Sequence, residues 1–194
     1  MYIPQHFEVT DNKKALAFIK ENAFGQLISS VDGKLFSSHL PFIVAEDEHT
    51  LICHMAKQNP QWKALEKQEI LITFQGDHDY VSPSWFNTPG VPTWNYRAVH
   101  VYGKTTIITD AKKLKNIVDG LTHIYESSMD EPWQAEYNAA ALNAIVGIEI
   151  KIDEIQCKYK LSQNRSKIDQ IQIADELARR GSTQLSKAMK INDK

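Results

Sequence analysis

The chain has no cluster of metal-ligating residues. Its seven histidines and two cysteines are scattered, none at zinc-site spacing, so no metal centre is expected. No apolar run approaches the roughly 20 residues that a membrane-spanning helix needs. The opening, MYIPQHFEVTDNKK, lacks a basic start followed by an apolar core, so no secretory leader is expected. The protein reads as cytoplasmic, with no membrane partner. Charge of neither sign is in excess: 22 basic side chains against 24 acidic ones give a net charge of −2. A chain that lives by gripping nucleic-acid phosphates usually carries a basic surplus or stripe, and neither is evident. GxSxG, a P-loop and GxGxxG are all missing. Asp47-Glu48 and Asp130-Glu131 read as solvated loop acids, and no catalytic residue is named.

What is present suits a folded domain. Hydrophobic residues make up 42% and charged residues 24% of 194 positions, enough for one well-packed domain with a helical appendage. Residues 1–165 are expected to form that domain, and residues 166–194 a helical extension packed on it or on a partner subunit. Cys53 and Cys157 lie in apolar, strand-like runs and are expected buried and reduced.

Asp11 and Asn12 offer N-caps for a first helix with Ala15, Leu16, Ile19 and Ala23 on one face, ended by Gly25. Asp32-Gly33 between GQLISSV and KLFSSHLPFIVA is a strong hairpin signal. TLICHMA, EILITFQG, DYVSPSWF and RAVHVYGKTTIITD read as further strands, with Gly103 a bulge or bend. Leu114, Ile117, Val118 and Leu121 fall in helical phase after a cap at Asp110. EPWQAEYNAAALNA reads as a short helix. Val146, Ile148, Ile150 and Ile152 then alternate with Glu149, Lys151 and Asp153, a half-buried strand. The tail places Ile168, Ile171, Ala174 and Leu177 on one helical stripe, interrupted at Gly181. Many strands joined by short turns favour a closed antiparallel barrel over a βαβ sheet.

Four stretches could carry chemistry. In HMAKQNPQW, Asn59 and Pro60 suit a helix start, with Trp62 and Leu65 facing the core. Helix N-terminal N–H groups with Lys57 alongside would suit a phosphate monoester, or the corner is a plain capped helix. Ser37-Ser38-His39-Leu40-Pro41 and His54-Met55-Ala56 lie on strands that could be neighbours. Pro41 lacks an N–H and suggests an edge, whose free backbone groups could bind a planar ligand. SPSWFNTPGVPTWNY gathers Trp85, Phe86, Trp94 and Tyr96 in a proline-stiffened loop, either an interface or a loop folded on the core. KYKLSQN sets Lys160 beside Ser162, Gln163 and Asn164.

Taken in order, MYIPQHF, SHLPF, HMAKQNPQW, YVSPSWF, VPTWNY and KLSQN resemble the landmarks of the PaiB family, described as FMN-binding negative transcriptional regulators. The landmarks run from residue 1 to about residue 164. The resemblance implies a mainly β fold with peripheral helices, the split β-barrel of the FMN-binding, pyridoxamine-phosphate-oxidase-like type. It also implies a homodimer with FMN at the subunit interface. Ser37, Ser38, His39 and Leu40 would border the isoalloxazine. His54, Met55, Ala56, Lys57 and Asn59 would surround the ribityl chain and phosphate. Trp94 and Tyr96 would come from the partner subunit or pack against its flavin edge, and Lys160, Ser162 and Gln163 would close the site. Several split-barrel proteins use an Arg-Lys pair for the phosphate; this chain offers Lys57, the helix start and His54. Three functions stand at this point. One is a regulator, with DNA implied by the family alone and Arg179-Arg180 the nearest basic element. The others are a flavin-dependent oxidoreductase of the NAD(P)H:flavin reductase kind, and a flavin- or haem-binding module without catalysis.

Overall fold

A computed structural model describes residues 1–191. Helix α1 spans Asn12–Glu21, and Asp11 Oδ1 caps it by accepting from Lys13 N at 2.9 Å. It ends before Gly25, which lies instead in strand β1, Phe24–Val31. The reason is contact: a Cβ on Gly25 would stand 2.7 Å from the Phe74 ring. Asp32 and Gly33 both have positive φ (49° and 77°), the conformation of a two-residue primed turn. β1 runs through it into β2, Lys34–Pro41, in the register Val31↔Lys34 to Phe24↔Pro41.

The KLFSSHLPFIVA run breaks at Phe42, leaving β3 as the pair Ile43–Val44. β4, Thr50–Ala56, follows a turn in which Asp47 Oδ1 accepts from His49 N and Thr50 N at 2.9 and 3.0 Å. α2 is the single turn Trp62–Leu65. EILITFQG and DYVSPSWF are not separate strands, because β5 is continuous over Ile70–Val81 and breaks only into a 3-10 turn at Pro83–Trp85. β6, Thr93–Ile108, absorbs the TWNY half of the aromatic loop. α3, Ala111–Glu126, is capped by Asp110 and buries Leu114, Ile117, Val118 and Leu121, as the phase demands. Of EPWQAEYNAAALNA only α4, Ala139–Asn143, is helical, capped by Asn138. β7, Ile145–Lys160, closes the set. The tail splits at Gly181 (φ 98°) into α5, Lys167–Arg179, and α6, Thr183–Ile191. Its buried stripe is Ile173, Ala174 and Leu177, whereas Ile168 and Ile171 are exposed.

The described strands form one sheet in the order β2-β1-β5-β6-β7-β4-β3. β2 and β3 stand at the two ends of that order. β3 is an edge of only two residues, and β2 carries a proline; both features blunt unpaired edges. The chain divides into two compact units, to each of which β5, β6 and β7 contribute residues. One comprises Met1–Phe18, Gln75–Val99 and the chain from Gln156 on; the other comprises Ile19–Phe74 and His100–Ile155. In the second unit Leu27, Leu51, Cys53, Ile72, Phe74, Ile148 and Ile150 are fully buried. Ile108, Leu114, Ile117 and Leu121 form another apolar cluster there, with Ile43, Ile52 and Ile145 against it. Both cysteines are unpaired and buried, and burial pushes the Cys157 thiol up to about 12. No described helix is long and apolar enough to cross a membrane.

Candidate functional site

Two sets of the expected site residues fall in different units. The first comprises β2 and the corner that follows β4. Phe42 N donates to Ala23 O at 2.9 Å, which fixes the alternation of the β1–β2 ladder. Leu40, Ser38 and Phe36 turn their backbone groups toward β1, while Pro41, His39 and Ser37 turn theirs away. Pro41 therefore sits where its missing N–H costs no bond to β1. It marks an edge, as the proline suggested, without weakening the ladder. Ser37 and His39 are exposed, Leu40 is half-buried and Ser38 is buried.

β2 and β4 are not ladder neighbours, because β4 pairs with β3 and β7. β2 is tied instead to the corner that follows β4: Asn59 Nδ2 donates to Ser38 Oγ at 2.8 Å. Asn59 Oδ1 in turn accepts from Gln61 N at 3.0 Å, and Trp62 Nε1 donates to Lys57 O at 2.9 Å, stapling the corner. Leu65 is fully buried and Trp62 half-buried. The helix expected to open at Asn59-Pro60 is only four residues long and begins at Trp62. It carries little dipole, and the Lys63 and Ala64 N–H groups donate to Pro60 O and Gln61 O. That leaves Lys57, an exposed cation with one ammonium bond, to Asn143 O at 3.1 Å.

His54 and Met55 point to opposite faces of β4, as neighbours on a strand must. Met55 is in the core. His54 pairs with Gly147, where an added Cβ would meet Ile117 Cδ1 at 2.6 Å, so its imidazole shares the face covered by α3. Its Nδ1 is buried without a partner, and burial lowers its pKa below the usual 6.5. The ring is therefore neutral near pH 7 and brings no positive charge to the corner. With the folded-state pKa depressed, the unfolded chain binds the extra proton, and stability contributed by the neutral ring is lost as pH falls below about 6.5. His54→Gln is expected to flatten the acid side of a melting-temperature-against-pH curve below that value; an unchanged acid side would show the ring already protonates freely in the fold.

The second set lies in the other unit. Lys160 Nζ donates to Thr93 Oγ1 and, at 2.8 Å, to Trp94 O. Burial, with the cations Lys158 and Arg165 nearby, lowers its pKa. Tyr96 faces the Lys158 ammonium at 5.2 Å. Ser162, in a left-handed conformation (φ 66°), exchanges hydrogen bonds of 3.0 and 3.1 Å with buried Asn95. Gln163 closes on its own strand end, accepting from Leu161 N at 2.7 Å. Trp94 is half exposed, with His78 and Tyr80 at ring distances of 6.2 Å. Phe86 is buried beneath the Arg165 guanidinium at 4.0 Å.

Sequence reasoning passed over Gln61, which is fully buried. A polar residue inside QW gave no signal; only its burial does. Among the described residues there is no group of three or more His, Cys, Asp or Glu side chains that could hold a metal ion.

Residues 1–154 match the family described as "Putative FMN-binding domain". The chain is 38% identical over 185 residues to the protease synthase and sporulation protein PAI 2 of Bacillus subtilis, covering 91% of this chain and 89% of that one. Among solved structures it resembles the flavocytochrome Anf3 of Azotobacter vinelandii, with TM-score 0.66 and 18% identity over 81% of this chain and 72% of that one. It also resembles the FAD and heme binding protein of Mycobacterium smegmatis, with TM-score 0.66 and 15% identity over 84% and 78% of the two chains. At such identities the structures speak for the fold alone. That fold, with the mainly antiparallel sheet, and the family match over residues 1–154 define the class: a split-barrel protein of the FMN-binding type. The chain belongs to the PaiB family, and its cofactor is FMN.

Proposed function

We propose that this protein is a cytoplasmic homodimeric flavoprotein holding FMN between two subunits. Ser37, Ser38, His39 and Leu40 border the isoalloxazine. Ala56, Lys57 and Asn59 lie toward the ribityl chain and phosphate, with His54 and Met55 contributing backbone. A second copy supplies Trp94 and Tyr96, and with them Lys160, Ser162 and Gln163 from the same unit, which close the site. One observation carries this reading. The edge strand β2 turns the backbone groups of Ser37 and His39 away from its ladder, and the Ser38–Asn59 bond ties that edge to the Lys57 corner. The residues present fit FMN: free backbone donors and acceptors match the polar edge of a flat ring, and Lys57 keeps ammonium hydrogens for a phosphate.

FMN supplies redox chemistry when bound, so a missing protein nucleophile is no objection to an oxidoreductase. Direct DNA contact through the tail has little support. Arg179 and Arg180 both bind Glu176, at 2.6 and 2.8 Å, and Arg180 also lies over the Trp85 ring at 4.9 Å. The purified protein is expected to carry one FMN per chain, visible as flavin absorbance, and to scatter light with the mass of two chains. FMN that neither co-purifies nor binds on addition would end this reading, and a monomer with full FMN affinity would remove the shared site. NAD(P)H oxidation with FMN present separates the oxidoreductase from a binding module.

A further inference from the structure

We infer that Gln61 is a positioning residue for the flavin surface, its amide holding β2 against the Ala56–Asn59 corner. The inference rests on the assignment of that surface to FMN.

Gln61 Nε2 donates to Leu27 O at 3.0 Å, Ser29 Oγ at 2.9 Å and Phe36 O at 3.3 Å. An amide nitrogen carries two hydrogens, so the three acceptors share them. In the β1–β2 register Leu27 faces Ser38 and Ser29 faces Phe36, so the amide grips two successive bonded rungs of the hairpin. The main chain of Gln61 binds Asn59 Oδ1, and Asn59 Nδ2 binds Ser38 Oγ. The corner thus touches β2 at Phe36 and at Ser38, on either side of Ser37. Those contacts fix the strand whose outward groups at Ser37 and His39 face the proposed flavin.

The arrangement has a cost. Gln61 Oε1 is buried without a partner, a penalty that a methionine of similar volume would avoid. What the amide adds in return is the grip on the hairpin. Contacts of this kind set the position of a binding surface without touching the ligand, and small displacements of such surfaces weaken binding.

Gln61→Met tests the role. FMN affinity is expected to fall about tenfold, the effect of losing one or two hydrogen bonds' worth of positioning. Amide hydrogen exchange at Ser37–Leu40 in the FMN-free protein is expected to accelerate, with circular dichroism unchanged. A purely packing role would lower the melting temperature and leave FMN affinity and β2 exchange as they were, and that result overturns the inference. Should Gln61→Met fail to fold, Ser29→Ala removes one acceptor alone; a smaller loss of affinity supports the role, and none overturns it. Lys57→Ala distinguishes the two levels of the argument. If it weakens FMN while Gln61→Met does not, Gln61 has no positioning role; if neither weakens FMN, the surface itself is misassigned.

Discussion

Gly103→Ala is expected to destabilise this protein by about 2–4 kcal/mol, the range of overpacking against backbone that cannot move. A Cβ at residue 103 would stand 2.3 Å from Lys151 O and 3.2 Å from Lys151 C. The obstacle is main chain of the neighbouring strand, so relief requires displacing β7 from β6. For a chain of this size the loss corresponds to a fall in melting temperature of roughly 5–15 °C. Gly33→Ala is the natural control. Nothing lies within 4 Å of its Cβ position, but φ is +77°, so only the conformational cost of about 1 kcal/mol applies. Thermal melts of both variants decide the matter: equal losses would mean that β6 and β7 do not approach as closely as described.

Lys57→Ala is expected to weaken FMN by roughly ten- to a hundredfold and riboflavin by far less. A charge-assisted bond to phosphate contributes about 1.5–3 kcal/mol, and riboflavin has no phosphate to lose. The prediction is sharp because the other sources of positive charge at this corner have fallen away. His54 is held neutral on the α3 face, and α2 is a single turn. Lys57 is exposed, so the FMN preference should also shrink as salt is raised. Titrations of both flavins with wild type and variant give the comparison, and equal losses for the two ligands would sink the phosphate assignment. Because Lys57 Nζ also holds Asn143 O, the melting temperature of the FMN-free variant must accompany the titrations.

Legibility in the sequence differed between parts of the site. Lys57 and Asn59 stood out as candidates because caps and turns are local signals; Asn59 does accept from a backbone N–H two residues on, but in a turn that precedes α2 and not as its cap. The edge character of β2 was visible through Pro41, since proline restricts which strand positions a residue can take. His54 and Met55 were named together because they are adjacent, yet adjacency on a strand sends their side chains to opposite faces. Gln61 was missed because nothing in NPQW indicates that a glutamine will be enclosed by a hairpin some 30 residues earlier.

The sequence by itself determined the alternation of strands, the Asp32-Gly33 hairpin, the phase of α3, the cap at Asp110 and the family. All but the family follow from residue spacing or from backbone preferences within a few positions; the family follows from the resemblance of six motifs taken in order. Only the tertiary structure decided that β5 runs unbroken from Ile70 to Val81, that Ile168 and Ile171 stay exposed while Ile173 is buried, and that Gln61 joins the corner to β2. These depend on which surfaces meet. Burial and register are set by contacts between segments far apart in the chain, and a local pattern constrains such contacts only weakly.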